Sequence, residues 1–167
     1  VRGIRPVFFG VESDSTVYAD HIEPKGMKGI ACEIHVGDQS IPVLIPIPGY
    51  HMVLNALAAT AVGTKLGLSL GQIRDGIEKL ESLSGRFHII EKGRMVIIDD
   101  CYNANPVSMK ASLDVLKDAQ HRKVAILGDM FELGENAAEL HASVGAHAAG
   151  NQIDLLICVG EISRHMA

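Results

Sequence analysis

The order of apolar runs in this sequence predicts an α/β protein in two parts, and three observations carry that expectation. Up to about residue 48 the runs are short, rich in β-branched residues and broken by Gly, Asp, Ser and Pro, the pattern of strands joined by turns. Residues 51–80 then hold two helical patterns. Beyond Gly85 strand-like and helical runs alternate, which points to a mainly parallel sheet. The first part covers residues 1–84 and the second 85–167, with the small polar string Glu81-Ser82-Leu83-Ser84-Gly85 as the boundary.

Residues 1–48 read as extended, in the runs 6–10, 17–22 and 29–36. Gly37-Asp38-Gln39-Ser40 turns the last of these into 41–45 as a hairpin. Pro42 has no N–H to give a neighbouring strand, so this arm is expected at a sheet edge, and Pro46-Ile47-Pro48-Gly49 stops the sheet. From His51 to about Leu66 the chain is Ala- and Leu-rich with apolar residues on more than one face, a well-buried helix ended by Gly67. Ser69 caps a second helix through Leu80, with Ile73, Ile77 and Leu80 on one stripe.

In the second part 86–91 and 94–99 form a hairpin across Lys92-Gly93. The apolar run Met95-Val96-Ile97-Ile98 reads as a buried strand feeding a helix from Pro106 to about Ala119. A strand at 123–127, a helix from about Asn136 to Ala149 and a strand at 155–159 follow. The polar ends of the three strands, Asp100, Asp129 and Gly160, recur at about thirty residues, the length of a βαβ unit. Parallel neighbouring strands with right-handed crossovers are expected.

Composition narrows the function classes. Lys and Arg total 15 against 20 Asp and Glu, a net charge of -5, which provides no basic field for a nucleic acid. Nothing approaches 18 consecutive apolar residues, and Val1-Arg2-Gly3-Ile4-Arg5 has no signal-peptide core, so no membrane partner and a cytoplasmic setting are expected. Cys32, Cys101 and Cys158 are far apart, with no Cys-x-x-Cys pair, and read as reduced packing residues. The chain starts without Met and stops at Arg164-His165-Met166-Ala167, where a helix should begin, the look of a piece of a longer protein.

The string Asp99-Asp100-Cys101-Tyr102-Asn103-Ala104-Asn105-Pro106 is the first place to seek function, because it sits at the carboxyl end of a strand, where open α/β sheets bind ligands. Asp99 and Asp100 should point to opposite faces, Tyr102 and Asn103 add hydrogen-bonding groups, and Asn105 caps the next helix with Pro106 in its first turn. Asp129, in Gly128-Asp129-Met130, ends the next strand at the same edge. It reads either as a second polar group for a ribose, a metal-bound water or an amine, or as an ordinary turn residue. His51 and Asn55 share a helix face near its positive end and can hold a base or phosphate, or simply cap and pack. Arg86 follows a Ser-Gly pair, from which a guanidinium can reach phosphates or make a surface salt bridge. His141 and His147, six apart, do not share a helix face and read as surface residues, which removes a metal pair. Gly-x-x-x-x-Gly-Lys-[Ser/Thr] does not occur, so these residues cannot hold ATP in the P-loop manner.

Read together, Gly49-Tyr50-His51-Met52-Val53-Leu54-Asn55-Ala56-Leu57-Ala58-Ala59, Gly85-Arg86, Asp99 to Pro106 and Leu127-Gly128-Asp129-Met130-Phe131-Glu132-Leu133-Gly134 resemble the Mur ligases of peptidoglycan synthesis in residues, order and spacing. The Tyr-Asn-Ala-Asn-Pro and Gly-Asp-Met-x-Glu-Leu-Gly strings look most like the branch that adds D-alanyl-D-alanine to UDP-N-acetylmuramoyl-tripeptide. The resemblance is strong from 49 to about 160 and weak before 46. It implies that 1–84 are the last part of a central ATPase domain and 85–167 most of a Rossmann-like C-terminal domain. The UDP-sugar domain, the P-loop, the magnesium ligands and a carbamoylated lysine would lie elsewhere, leaving this piece inactive alone and the intact enzyme a monomer.

By the same resemblance, ATP and Mg2+ serve to activate the tripeptide carboxylate as an acyl phosphate, which the dipeptide amine attacks. Matched by position, Asn55 contacts adenine, Arg86 the ATP phosphates and Asp100 the ribose, with His51 also counted among the cofactor-binding residues. Tyr102, Asn103, Asn105 and Asp129 line the substrate cleft, and 81–85 act as a hinge for closure. Met52 stands where the family pattern has Asn, and Cys101 where it has Ser, a poorer hydrogen-bonding group. Other readings are another amide ligase of the superfamily, such as a folylpolyglutamate synthase, or a non-catalytic Rossmann-like module binding a nucleotide or a partner. A dinucleotide-linked redox domain lacks its Gly-x-Gly-x-x-Gly here.

Overall fold

The computed structural model describes Gly3 and residues 5–167; Val1, Arg2 and Ile4, where the expected extended run starts, lie outside the described residues. The chain divides into two compact units, residues up to Glu81 and residues from Ser82 onward.

The first unit holds strands β1 (Phe9–Gly10), β2 (Val17–Pro24), β3 (Ile30–Val36) and β4 (Gln39–Ile45), in that spatial order. β1 runs parallel to β2 and the other pairs are antiparallel. Alternation puts Val17, Ala19, Cys32, Ile34, Val43 and Ile45 on one buried face, while their neighbours face outward. β4 is an edge strand, as Pro42 demands, and the β3–β4 turn is shorter than expected, since Gln39 and Ser40 already pair with Val36 and His35. Helices α1 (His51–Lys65) and α2 (Leu70–Ile77) bury Val53, Leu57, Ile73 and Ile77 in the same core as that sheet face.

Ser69 caps α2 in a reciprocal box, its Oγ accepting the Gln72 N–H while the Gln72 side chain accepts the Ser69 N–H. The helix ends at Ile77 rather than Leu80, and Leu80 is 42% exposed instead of completing the buried stripe. The reason lies at Glu78. Its N–H closes the last turn on the Arg74 carbonyl while its carboxylate accepts the Leu44 N–H of the edge strand at 3.2 Å, satisfying an otherwise open amide.

The second unit starts with a hairpin of β5 (His88–Lys92) and β6 (Met95–Asp99) around Gly93-Arg94. Then come α3 (Pro106–Lys117), β7 (Val124–Gly128), α4 (Ala137–Gly150) and β8 (Leu155–Val159). β7 and β8 are parallel neighbours joined by α4, the expected βαβ unit. The α/β class stands.

Two expectations for this sheet fail. Among the described residues β6 pairs with β5 and not with β7, and Met95, Val96 and Ile97 are 62%, 57% and 42% exposed, so the strand ahead of the polar string is not buried. Leu113 of α3 and Val144 and Ala148 of α4 form one core with Ala125 and Met166, covering one side of β7–β8, while Ile126 on the other side is 67% exposed. A parallel strand is buried only where layers cover both faces, and the described residues supply one.

His141 is fully buried, against the surface position expected from the sequence. Its Nε2 accepts the Met130 N–H at 2.9 Å, which makes Nδ1 the protonated nitrogen, donating to the Ala137 carbonyl at 2.7 Å. The ring anchors the loop after β7 to α4. His141→Leu should lower unfolding free energy by about 1–3 kcal/mol, because the Met130 amide loses its acceptor in a buried place. An unchanged urea midpoint would show that this amide finds another partner. His147 is partly exposed and pairs with Asp114 at 2.6 Å. Among the described residues no helix is long and apolar enough to cross a membrane.

Candidate functional site

In the second unit the segment 85–87 is laced to the end of β6. Gly85 donates its N–H to Asp99 Oδ2 at 3.0 Å, and its carbonyl accepts the Tyr102 N–H at 2.9 Å. Phe87 donates its N–H to Asp100 Oδ1 at 3.0 Å, and the Ser112 hydroxyl of α3 donates to Asp100 Oδ2 at 2.6 Å. The two carboxylates therefore hold alternate amides of one segment rather than facing apart. Strand alternation stops at Asp99, the last residue of β6, so the opposite-face expectation does not extend to Asp100.

The backbone on either side of Arg86 is unusual. Gly85 is buried with φ +76°, and a Cβ there would lie 3.2 Å from the Tyr102 Cβ, so glycine meets both the conformation and the approach. Phe87 also has positive φ, +51°, uncommon for a bulky side chain, and is only 5% exposed. Buried packing and the bond to Asp100 hold this strained residue. Such strain persists where the surroundings over-determine it, and it clusters at ligand sites. Between the two, the Arg86 guanidinium lies over the Tyr102 ring, Cζ 4.3 Å from its centroid, while Tyr102 is 69% exposed. Among the described residues no carboxylate lies within ion-pair distance of Arg86, so the salt-bridge reading does not describe it.

Cys101 is free and exposed. The Cys101 side chain beside Asp99, followed by the Gly85 amide, holds the Asp99 carboxyl below its ordinary range. The same neighbour pushes the Cys101 thiol up, which disfavours the reactive thiolate. Asn103 Oδ1 accepts the Ala104 N–H, and Asn105 caps α3 in a reciprocal box with Ser108, Pro106 following as expected. Asp129 staples the turn after β8. It accepts the N–H groups of Glu161, Ile162 and Ser163 at 3.1, 3.0 and 2.6 Å, and these bonds, the Ser163 amide first, hold its carboxyl below the ordinary range.

His51 and Asn55 belong to the first unit, on the first turns of α1. Gly49 lets the chain pass the His51 ring, whose Cε1 lies 2.6 Å from where a Gly49 Cβ would be. Asn55 is exposed and its Nδ2 donates to Met52 Sδ at 3.5 Å, so the departure from Asn at position 52 leaves a soft acceptor on the same face.

The sequence reading found Arg86, Asp100 and Tyr102, which the structure brings together, and missed the parts that hold them. Ser112 lies twelve residues from Asp100 with no pattern to link them. Gly85, expected as part of a hinge, is buried at positive φ and bonded to Asp99 and Tyr102, contacts that the sequence pattern does not announce.

Residues 85–167 match the protein family described as Mur ligase, glutamate ligase domain. Over 160 residues the chain is 31% identical to the UDP-N-acetylmuramoyl-tripeptide--D-alanyl-D-alanine ligase of Buchnera aphidicola subsp. Baizongia pistaciae, covering 95% of this chain and 35% of that protein. The crystal structure of MurF from Acinetobacter baumannii superposes with a TM-score of 0.88 at 34% identity, over 95% of this chain and 34% of the other. MurF ligase from Thermotoga maritima, solved in complex with ADP, gives 0.82 at 25% identity, over 96% and 37%. The chain thus spans about a third of the length of these relatives.

Proposed function

Because the chain belongs to the Mur ligase family, we propose that it is part of the ATP-dependent ligase that joins D-alanyl-D-alanine to UDP-N-acetylmuramoyl-tripeptide. Residues 1–84 would close the central ATPase domain and 85–167 form most of the Rossmann-like C-terminal domain, in a cytoplasmic, monomeric enzyme. The observation that carries the reading is Arg86, a guanidinium set over a ring beside a strained backbone and, among the described residues, with no carboxylate in ion-pair distance, which suits a phosphate arriving from outside.

Within the second unit, Arg86 and Asp100 suit the phosphate and ribose of an ATP molecule. When bound, ATP supplies the phosphoryl group that activates the acceptor carboxylate. Arg86 would neutralise charge on the transferring phosphate, its planar fork already oriented by Tyr102, so little reorganisation accompanies the step. Asp100 has each oxygen engaged once, leaving acceptor capacity for ribose hydroxyls. By resemblance, Asn55 of the first unit would meet adenine and His51 would also take part in cofactor binding, while Tyr102, Asn103 and Asn105 would line the cleft for the incoming dipeptide. Asp129 is best assigned to holding the 160–163 turn, since three amides take most of its acceptor capacity. Magnesium has no donor set assigned to it in these residues and would be held elsewhere in the intact protein.

The test is ADP release by the intact protein with UDP-N-acetylmuramoyl-tripeptide, offering D-alanyl-D-alanine, L-glutamate, L-lysine or no amine. Release that requires the dipeptide is expected. Release driven by another amine would overturn the specificity, and no release with any would overturn the ligase reading.

A further inference from the structure

On the outward face of the first unit's sheet lies a group of side chains that the ligase reading does not use. Asp20 of β2 and Glu33 of β3 are direct cross-strand partners. Two carboxylates placed opposite each other on one face of an antiparallel pair repel, which disfavours the pairing unless a positive group sits between them. Two imidazoles reach the same place. His35 Nε2 lies 2.8 Å from Asp20 Oδ1, while His21 Nδ1 lies 2.9 Å from Asp20 Oδ1 and 3.5 Å from Glu33 Oε2. The donor atoms of Asp20, Glu33 and His35 all lie within 4.8 Å of one another.

We propose that Asp20, His21, Glu33 and His35 form a structural site for a divalent cation of the zinc class, pinning the irregular end of β2 to β3. Imidazole nitrogens and carboxylate oxygens are the donors such a cation takes, at about 2.0–2.2 Å each, which sets neighbouring donors of a tetrahedral site about 3.3 Å apart. The separations of 2.8, 2.9 and 3.5 Å bracket that edge, so modest side-chain movement admits the ion. The ladder slips between Asp20 and Glu23, and His21, at the slip, has φ +47°, which turns its ring toward the carboxylates.

The surroundings hold the donors as outer partners of metal ligands do. Tyr18 stacks on the His35 ring with centroids 4.4 Å apart and planes 2° from parallel, and the Ser40 hydroxyl donates to Glu33 Oε1 at 2.6 Å, leaving Oε2 for the ion. The His21 side chain is 75% exposed, which leaves the ion a path from solvent. Four protein donors leave no open position for a substrate, hence a structural role.

The experiment titrates the metal-free chain with zinc by calorimetry and with cobalt(II) by visible absorption, independently of any ligase assay. One equivalent with a tetrahedral cobalt spectrum is expected. Affinity should fall by about a hundredfold in Asp20→Asn and His35→Gln and by about tenfold in Ser40→Ala, while Asp114→Asn, at the His147 pair, leaves it unchanged. Imidazole nitrogen spectra of the unaltered chain should show zinc moving the His21 and His35 signals and no others, a readout that needs no variant to fold. Zinc that binds equally well in Asp20→Asn and His35→Gln, that shifts other histidines instead, or that does not bind saturably would overturn the site.

Discussion

Replacing Arg86 by alanine in the intact protein should lower kcat/KM for ATP by about 10²- to 10³-fold, the loss typical of removing one preorganised donor from a developing negative charge. The effect should fall mainly on kcat, because the guanidinium is proposed to meet charge that grows in the transition state. Arg86→Lys should recover only part of it, since an ammonium keeps the charge but neither the planar fork nor the stacking on Tyr102. Tyr102→Phe keeps the ring face and should act nearly as the parent, while Tyr102→Ala frees the guanidinium and should lose activity with it. Arg86 is exposed, so thermal melting of Arg86→Ala should match the parent. Steady-state ADP release decides the matter: an Arg86→Ala enzyme within twofold of the parent would remove this residue from the reacting phosphates.

Gly29→Ala should be the most damaging single methyl in the first unit, costing about 2–6 kcal/mol. Gly29 joins a short helical turn to β3 with φ +112° and ψ -149°, a region that residues with a side chain enter at about 1–3 kcal/mol. The added Cβ would also lie 1.9 Å from the Ile45 carbonyl oxygen and 2.9 Å from both the Ile45 carbonyl carbon and the Pro46 Cα. These are backbone atoms, unable to swing aside as a side-chain tip would, so the start of β3 must separate from the end of β4 at the Ile30–Ile45 pair. Ile45 is fully buried, and moving it disturbs the core as overpacking does, adding about 1–3 kcal/mol. Urea unfolding followed by circular dichroism measures the loss; a parental midpoint would mean the two strands are not held so closely.

The amino-acid sequence by itself determined the elements and most of their ends. Helix caps at Ser69 and Asn105 and the Pro42 edge strand are legible because each rests on a local rule, the bond a residue can make within four positions or the bond proline cannot make. The family, too, was legible, since Gly85-Arg86, the 99–106 string and Gly-Asp-Met at 128–130 lie at fixed spacing along the chain. Tertiary structure alone decided which strands share a sheet and what each polar group touches. The exposure of β6 and the burial of His141 follow from which layers cover which face, a sum over distant packing that periodicity within one element does not record. The grip of Asp99 and Asp100 on segment 85–87, the aim of Arg86 along Tyr102, and the meeting of Asp20 and His21 with Glu33 and His35 all join residues twelve or more apart. Sequence separation carries no distance once the chain has folded back, so only the fold could bring those charges within reach of one another.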